Sequence, residues 1–306
     1  MEINGDISLS LEQKNLVDMH SVLNVMNLII YEFYSLSEHF PGSEELRDSK
    51  KIIQHIADDL RNKEKAIEDI KRIRENRIRI ESNIRNLLER APQESVAAVK
   101  ESVENIETIF SVLMERAEEI ITRFEKNQKW VQHDIATLKT KFGHVFDAIS
   151  KNSKGNYQIV SNLAQQDEKD YYVDLQISGS EGNTITMPLV FQDVMRDLIA
   201  NARKYTSPGG KILAGLCDDG KSLRFVVEDS GMGIPEKQLE MVIQFGYRAP
   251  NVQEKRTMGG GFGLTKAYYI TRRYGGRMWI TSEIERCTRI EIRIPKEQSD
   301  TNRTSA

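Results

Sequence analysis

The chain has 306 residues, enough for about two domains, and its 43 Lys plus Arg stand against 46 Asp plus Glu for a net charge of −3. That balance argues against general nucleic-acid binding, which calls for a strongly basic surface. No run reaches the ~18 apolar residues of a membrane span, no basic-then-apolar leader opens the chain, and two cysteines, Cys217 and Cys287, make no disulfide framework. The expected setting is a reducing cytoplasm.

Glycine and proline divide the chain. Residues 1–155 hold four of the 19 glycines and two of the seven prolines, and the remainder holds fifteen and five. Because these residues interrupt helices and populate turns, the first half is expected to be helical and the second to alternate short elements with loops.

In chain order, Leu16, Met19, Leu23, Met26, Ile30 and Phe33 recur at helical spacing and predict a helix from about Leu9 to Phe40. Pro41-Gly42-Ser43 marks a turn, with Ser43 capping a second helix that runs to about Arg90. After Pro92, one apolar seam from Ile106 through Phe124, Val131, Ile135 and Phe142 to Ile149 predicts a single long helix, with a stutter near residues 127–135. Helices of ~45–55 residues extend ~70–80 Å and cannot bury their stripes alone, so a dimerising hairpin bundle is expected.

In the second half, Tyr171–Ile177 alternates as a strand, Pro188 opens a helix to about Tyr205, and Lys211–Cys217 pairs with Ser222–Glu228 across Asp218-Asp219-Gly220-Lys221. A short helix follows Pro235, another spans Phe262–Tyr274, and Arg277–Ser282 with Thr288–Pro295 form a last hairpin. The expected fold is α+β: a long-helix hairpin or coiled-coil bundle over 1–152, a two-layer α/β sandwich over 156–296, and a flexible tail over 297–306.

Three segments carry chemistry. Asp197 and Asn201, at i and i+4, share one helix face; the Asn201 amide oxygen suits a Mg²⁺ that keeps waters and takes phosphates, Asp197 could orient a water or accept a proton, and Lys204 could reach phosphate. Asp229-Ser230-Gly231-Met232-Gly233, at a strand end, pairs a carboxylate suited to an exocyclic amine with glycines that admit a flat ring. Gly259-Gly260-Gly261-Phe262-Gly263 opens a helix whose free N–H groups suit phosphate.

In this order the segments resemble the N, G1 and G2 boxes of the ATP-binding domain of two-component sensor histidine kinases, a superfamily shared with gyrase, Hsp90 and MutL; Phe245-Gly246-Tyr247-Arg248 resembles the F box. The resemblance implies ATP and Mg²⁺ as cofactors, Asn201 on the metal, Lys204 on phosphate, Tyr205 against adenine and Asp229 on its amine. It implies that Gly231, Gly233, Gly259, Gly261 and Gly263 line the nucleotide, that residues 246–260 form a lid, and that Thr288 helps hold adenine. Asp197 stands where many of these kinases have Asn, and Glu285 and Cys287 replace a glycine pair before Thr288, so that hairpin is expected to differ.

A histidine kinase needs a neutral imidazole to attack the γ-phosphate. Of His20, His39, His55, His133 and His144, two fit acceptor motifs: His20, with Asn24 and Asn27 on its flank, and His133, followed by Asp134 on the predicted helix. His20 is the first choice. The resulting expectation is a soluble, homodimeric kinase that autophosphorylates a histidine and passes the phosphoryl group to a response-regulator receiver domain, with signals arriving through the helices or a separate sensory protein. The alternatives are an ATPase or Ser/Thr protein kinase of the same superfamily, or a non-catalytic ATP-switched module.

Overall fold

The computed structural model describes residues 1–125, 130–153, 155–253 and 260–296. The predicted tail, Gly259 and part of the predicted lid therefore lie outside the described residues.

The first helix, α1 (Leu11–His39), starts where Ser10 accepts from the Gln13 amide and the Gln13 side chain accepts from the Ser10 amide, a reciprocal cap that satisfies two otherwise unpaired donors. The predicted second helix is instead three: α2 (Glu44–Asp59), α3 (Lys63–Lys71) and α4 (Ile73–Glu89). Asn62 causes the first break by capping α3 through the Lys65 amide, and Arg72 ends α3 and opens α4 in a non-helical conformation. Helix α5 (Val96–Glu125) runs antiparallel to α1 and α4 and packs along both. Val22, Met26, Ile29 and Phe33 of α1 meet Ile106, Phe110 and Leu113 of α5, together with Ile53, Ile80 and Ile84, in one dry core. The stripes are thus covered within one chain, because folding back into short helices lets them cover one another.

The third segment also departs from expectation. Its seam is broken by β1 (Val131–Asp134), and only then does α6 (Ile135–Asn152) begin. β1 pairs antiparallel with β4 (Thr184–Met187), Val131 opposite Met187, and Asp134 caps α6 through the Thr137 amide at 2.7 Å. Leu138 and Phe142 of α6 belong to the C-terminal core. The helical region therefore ends near residue 125, ahead of the expected boundary at 152, and β1 and α6 belong with the sheet.

The sheet follows the predicted hairpins. Its order is β2-β3-β5-β6-β8-β7, where β2 is Ile159–Val160, β3 Tyr171–Ser178, β5 Lys211–Asp218, β6 Ser222–Asp229, β7 Arg277–Glu283 and β8 Cys287–Pro295. The β2-β3-β5 pairs are parallel and the rest antiparallel. Alternation in β6 turns Leu223, Phe225 and Val227 inward and leaves Arg224 outside, as expected of a sheet covered on one face. Helices α7 (Leu189–Tyr205) and α8 (Gly263–Arg273) supply that cover. Residues 1–3 return to the β7 edge, where the Ile3 amide donates to Met278 O and the Ile280 amide to Met1 O. No helix among the described residues is long and apolar enough to cross a membrane.

Candidate functional site

A cavity of about 890 Å³ opens between α7, the β6 end, the start of α8 and the bundle helices α1 and α5. His20, Asp197, Asn201, Lys204, Tyr205, Asp229, Gly233, Gly261, Gly263 and Thr288 all line it. Gly231 is not in the lining; a Cβ there would fall 2.6 Å from both Asp229 Oδ1 and Tyr205 O, so the position accepts no side chain.

At the inner end, Asp229 is the last residue of β6 and stands opposite Thr288 of β8. Its Oδ1 accepts from the Gly231 amide at 2.9 Å, while burial pushes its carboxyl up from 3.8 to about 6. Thr288 is fixed by Ser282, whose Oγ lies 3.0 Å from Thr288 Oγ1 and donates to Cys287 O. Glu285 adopts φ 58°, a left-handed conformation, and its amide donates to Met232 O at 2.9 Å, so the hairpin holds a glycine-like shape against steric cost.

Midway, Lys204 lies 5.2 Å above the Tyr205 ring. Burial, then the like charges of Arg248 and Arg203, depresses its ammonium to about 8. Such a pocket disfavours its own cations and favours an entering anion. Helix α8 begins at Gly263 with no side-chain cap, leaving N–H groups for an anion at its positive end. A Cβ on Gly263 would fall 2.7 Å from Asn201 Nδ2, so glycine is what lets α8 start against the Asn201 side chain.

At the bundle end, His20 is 5% exposed, and its Nδ1 lies 3.0 Å from Asp197 Oδ2. The Phe262 ring meets the imidazole edge-on at 5.7 Å and stacks on Phe245 at 4.4 Å. Burial pushes the Asp197 carboxyl up, but Lys266, then His20, outweighs it and holds the group below the usual carboxylate range. An anionic Asp197 can only accept, so His20 Nδ1 donates to it. α1 packs on α8, which turns His20 inward.

A buried ionic cluster surrounds this pair. Lys266, wholly buried on α8, lies 3.2 Å from Asp197 Oδ2 and 3.4 Å from Asp193 Oδ2. Asp193 also pairs with Arg196 and with Arg123 of α5, and accepts from Ser21 of α1. Glu119 of α5 joins Arg196 at 2.7 Å and Arg116 at 2.9 Å. Reading the sequence missed these residues. The signal was present in Asp193 and Asp197, two acids a turn apart in the mostly apolar first turns of α7, where two buried carboxylates require a cation.

His133 is not part of the cavity lining. It stands on β1 opposite Ile185, with Gln192 Nε2 at 3.2 Å from Nδ1, and burial lowers its affinity for a proton. Asp134, which follows it, spends its carboxylate capping α6. His39, His55 and His144 are also outside the lining.

Residues 186–298 match the family described as histidine kinase-, DNA gyrase B-, and HSP90-like ATPase. The sensor histidine kinase WalK of Bacillus subtilis (strain 168) is 25% identical over 181 residues, 58% of this chain and 26% of that protein. The adaptive-response sensory kinase SasA of Synechococcus sp. (strain CC9902) is 34% identical over 116 residues, covering 36% of this chain and 30% of that one. The matches thus span between a quarter and a third of these relatives' length. Among solved structures, the catalytic domain of histidine kinase ThkA aligns at 20% identity with a TM-score of 0.39, over 55% of this chain and 99% of that one.

Proposed function

We propose that the chain is a histidine kinase that binds Mg-ATP between Asn201 and Asp229 and transfers the γ-phosphoryl group to its own His20. The observation that carries this reading is the 3.0 Å contact between His20 Nδ1 and Asp197, on the lining of the same cavity as Asn201.

The residues present fit the nucleotide. Asp229 would accept from the adenine amine, Tyr205 and Thr288 would flank the ring, and Gly231, Gly233, Gly261 and Gly263 would let backbone approach it. Lys204 and the α8 N-terminus would hold phosphate. Asn201 offers the neutral oxygen that a mostly hydrated Mg²⁺ can take, and the ion would neutralise charge on the transferring phosphoryl group. Asp197 keeps the His20 proton on Nδ1, so Nε2 attacks phosphorus in line, the bond to the β-γ bridging oxygen breaks, and ADP leaves. As Nε2 bonds to phosphorus the imidazole gains positive charge, which the Asp197 carboxylate stabilises.

Transfer onward to a receiver-domain aspartate, a homodimer through the N-terminal helices, input from a separate sensory protein and a cytoplasmic setting complete the proposal. The two unpaired cysteines support the setting. A second reading follows from the burial of His20: the Asp197–His20 pair would act as a general base for a hydroxyl on a partner protein.

Incubation with γ-labelled ATP separates the two. Acid-labile, alkali-stable label that is lost in His20→Ala and kept in His133→Ala supports the first reading; acid-stable label on a partner supports the second.

A further inference from the structure

Part of the cavity lining is left unused by the nucleotide reading. Past His20 a slot runs between α1, α5 and α6, and its walls are apolar: Val25 and Leu28 on α1, Ile109 and Val112 on α5, Val145 and Ile149 on α6. Antiparallel packing sets these residues in register. Glu32 meets Asn105 and Asp18 meets Arg123 between α1 and α5, while Lys141 meets Glu119 and His144 meets Glu115 between α6 and α5. Leu28, Ile109 and Ile149 therefore stand at one end of the slot. His20, Asn24 and Arg116 stand at the other. From Ser21 to Leu28 the slot extends about 10 Å at 1.5 Å per residue, the reach of a medium-length acyl chain.

The apolar wall on α6 lacks packing partners. Val145, Ala148 and Ile149 are half-buried, yet among the described residues they belong to neither apolar core. The polar end is short of negative charge. Arg116 and Arg196, 3% and 8% exposed, both line the cavity. They share one carboxylate, Glu119, at 2.9 and 2.7 Å, and Lys141 faces the same group at 3.6 Å. Asp193 is divided among Arg196, Arg123 and Lys266, and Glu115 turns to His144 of α6. Arg196 Nε and Nη1 are buried without an acceptor among the described residues. Burial, then the like charge of Arg196, holds the Arg116 guanidinium below its ordinary range. Buried cations that share too few acceptors favour an entering anion.

We propose that this slot binds an amphiphilic carboxylate, with its acyl chain between α1, α5 and α6 and its charged end at Arg116 and Arg196. Both halves of the site select this class. A neutral apolar molecule leaves the guanidiniums short of acceptors, and a small inorganic anion leaves the apolar walls uncovered. A carboxylate also matches the planar donor fork of arginine. The walls come from α1 and α5 of the bundle and from α6 and α7 beside the sheet, so a bound acid joins the two regions. The site does not depend on which residue accepts phosphate.

The test is calorimetry of decanoate binding to the full chain, below its micelle concentration, with and without saturating ADP. Decanoate should bind in both conditions. Shortening it to octanoate should weaken binding roughly tenfold. Decanol, which lacks the charge, should bind roughly tenfold more weakly or worse. Ala148→Phe, which fills the slot, should abolish decanoate binding and leave ADP affinity and the circular dichroism spectrum unchanged. Arg116→Met should bring the affinities for decanoate and decanol together; if it does not fold, the decanol comparison and Ala148→Phe still decide. Absent decanoate binding, equal affinity for decanoate and decanol, loss of decanoate binding when ADP is added, or unchanged binding in Ala148→Phe each overturns the proposal. A wild-type dimer that Ala148→Phe splits, together with absent decanoate binding, assigns the slot to a second copy of the chain instead.

Discussion

Asp229 shows at the scale of one residue how a binding site opposes stability. Burial raises its carboxyl from 3.8 to about 6, so between those values the folded protein holds a proton that the unfolded chain has released. Stability therefore falls as pH rises through that window, and the full deficit persists above it. At about 1.4 kcal/mol per pH unit, the cost is about 3 kcal/mol. Asp229→Asn keeps an oxygen for the Gly231 amide but carries no charge. It should raise the unfolding free energy at neutral pH by up to about 3 kcal/mol, give no gain in acid below the window, and lose nucleotide binding. Denaturant melts with and without ADP check this, and a neutral or destabilising effect at neutral pH contradicts it. In the wild type, ADP affinity should fall as pH drops below about 6, where the carboxylate needed for the adenine amine is lost. Glu285 offers a contrasting case: replacing it by Gly relieves a left-handed strain and should stabilise the hairpin by about 1 kcal/mol, measured by the same melts.

Among the elements, the start of α8 decides whether nucleotide can be held. Gly263→Ala would place a methyl group 2.7 Å from Asn201 Nδ2, displacing the amide from the metal position. Mg-dependent nucleotide affinity should drop roughly tenfold or more, equivalent to ~1.4 kcal/mol, with the circular dichroism spectrum unchanged; calorimetry of ATP binding is the check. The elements also show what a sequence reveals. Strands β3, β5, β6, β7 and β8 were legible because alternation and Gly- or Asp-rich turns are local signals. The breaks at Asn62 and Arg72 were not, since neither carries glycine or proline, and only the capping bond from Asn62 to the Lys65 amide betrays the first. β1 was hidden for another reason. Val131, Ile135, Leu138 and Phe142 keep helical spacing across a strand–helix junction, and the partner that makes 131–134 a strand lies some fifty residues on, at Thr184–Met187.

In the whole molecule, the bundle and the sheet domain meet around buried charge as well as apolar surface. Asp197, Asn201, Lys204, Asp229 and the glycines were legible as a set because each sits in a short motif. The pairing of His20 with Asp197 was not, because the two are 177 residues apart and are joined only when α1 packs on α8. Arg123 ties this interface: it donates to Asp18 O of α1 at 2.8 Å and pairs with Asp193 of α7 at 3.3 Å. Arg123→Ala should therefore slow labelling of His20 while leaving ATP affinity unchanged. Equal losses of both would show that the bundle acts on nucleotide binding instead of acceptor placement.

The central claim is that acceptor and nucleotide site are assembled within one chain. Mixing equal amounts of His20→Ala, which binds ATP but lacks the acceptor, with Asn201→Ala, which has the acceptor but cannot hold Mg-ATP, tests it against wild type measured in parallel. The account predicts phosphohistidine in the wild type and none in the mixture. Phosphohistidine at His20 of the Asn201→Ala chain would contradict it.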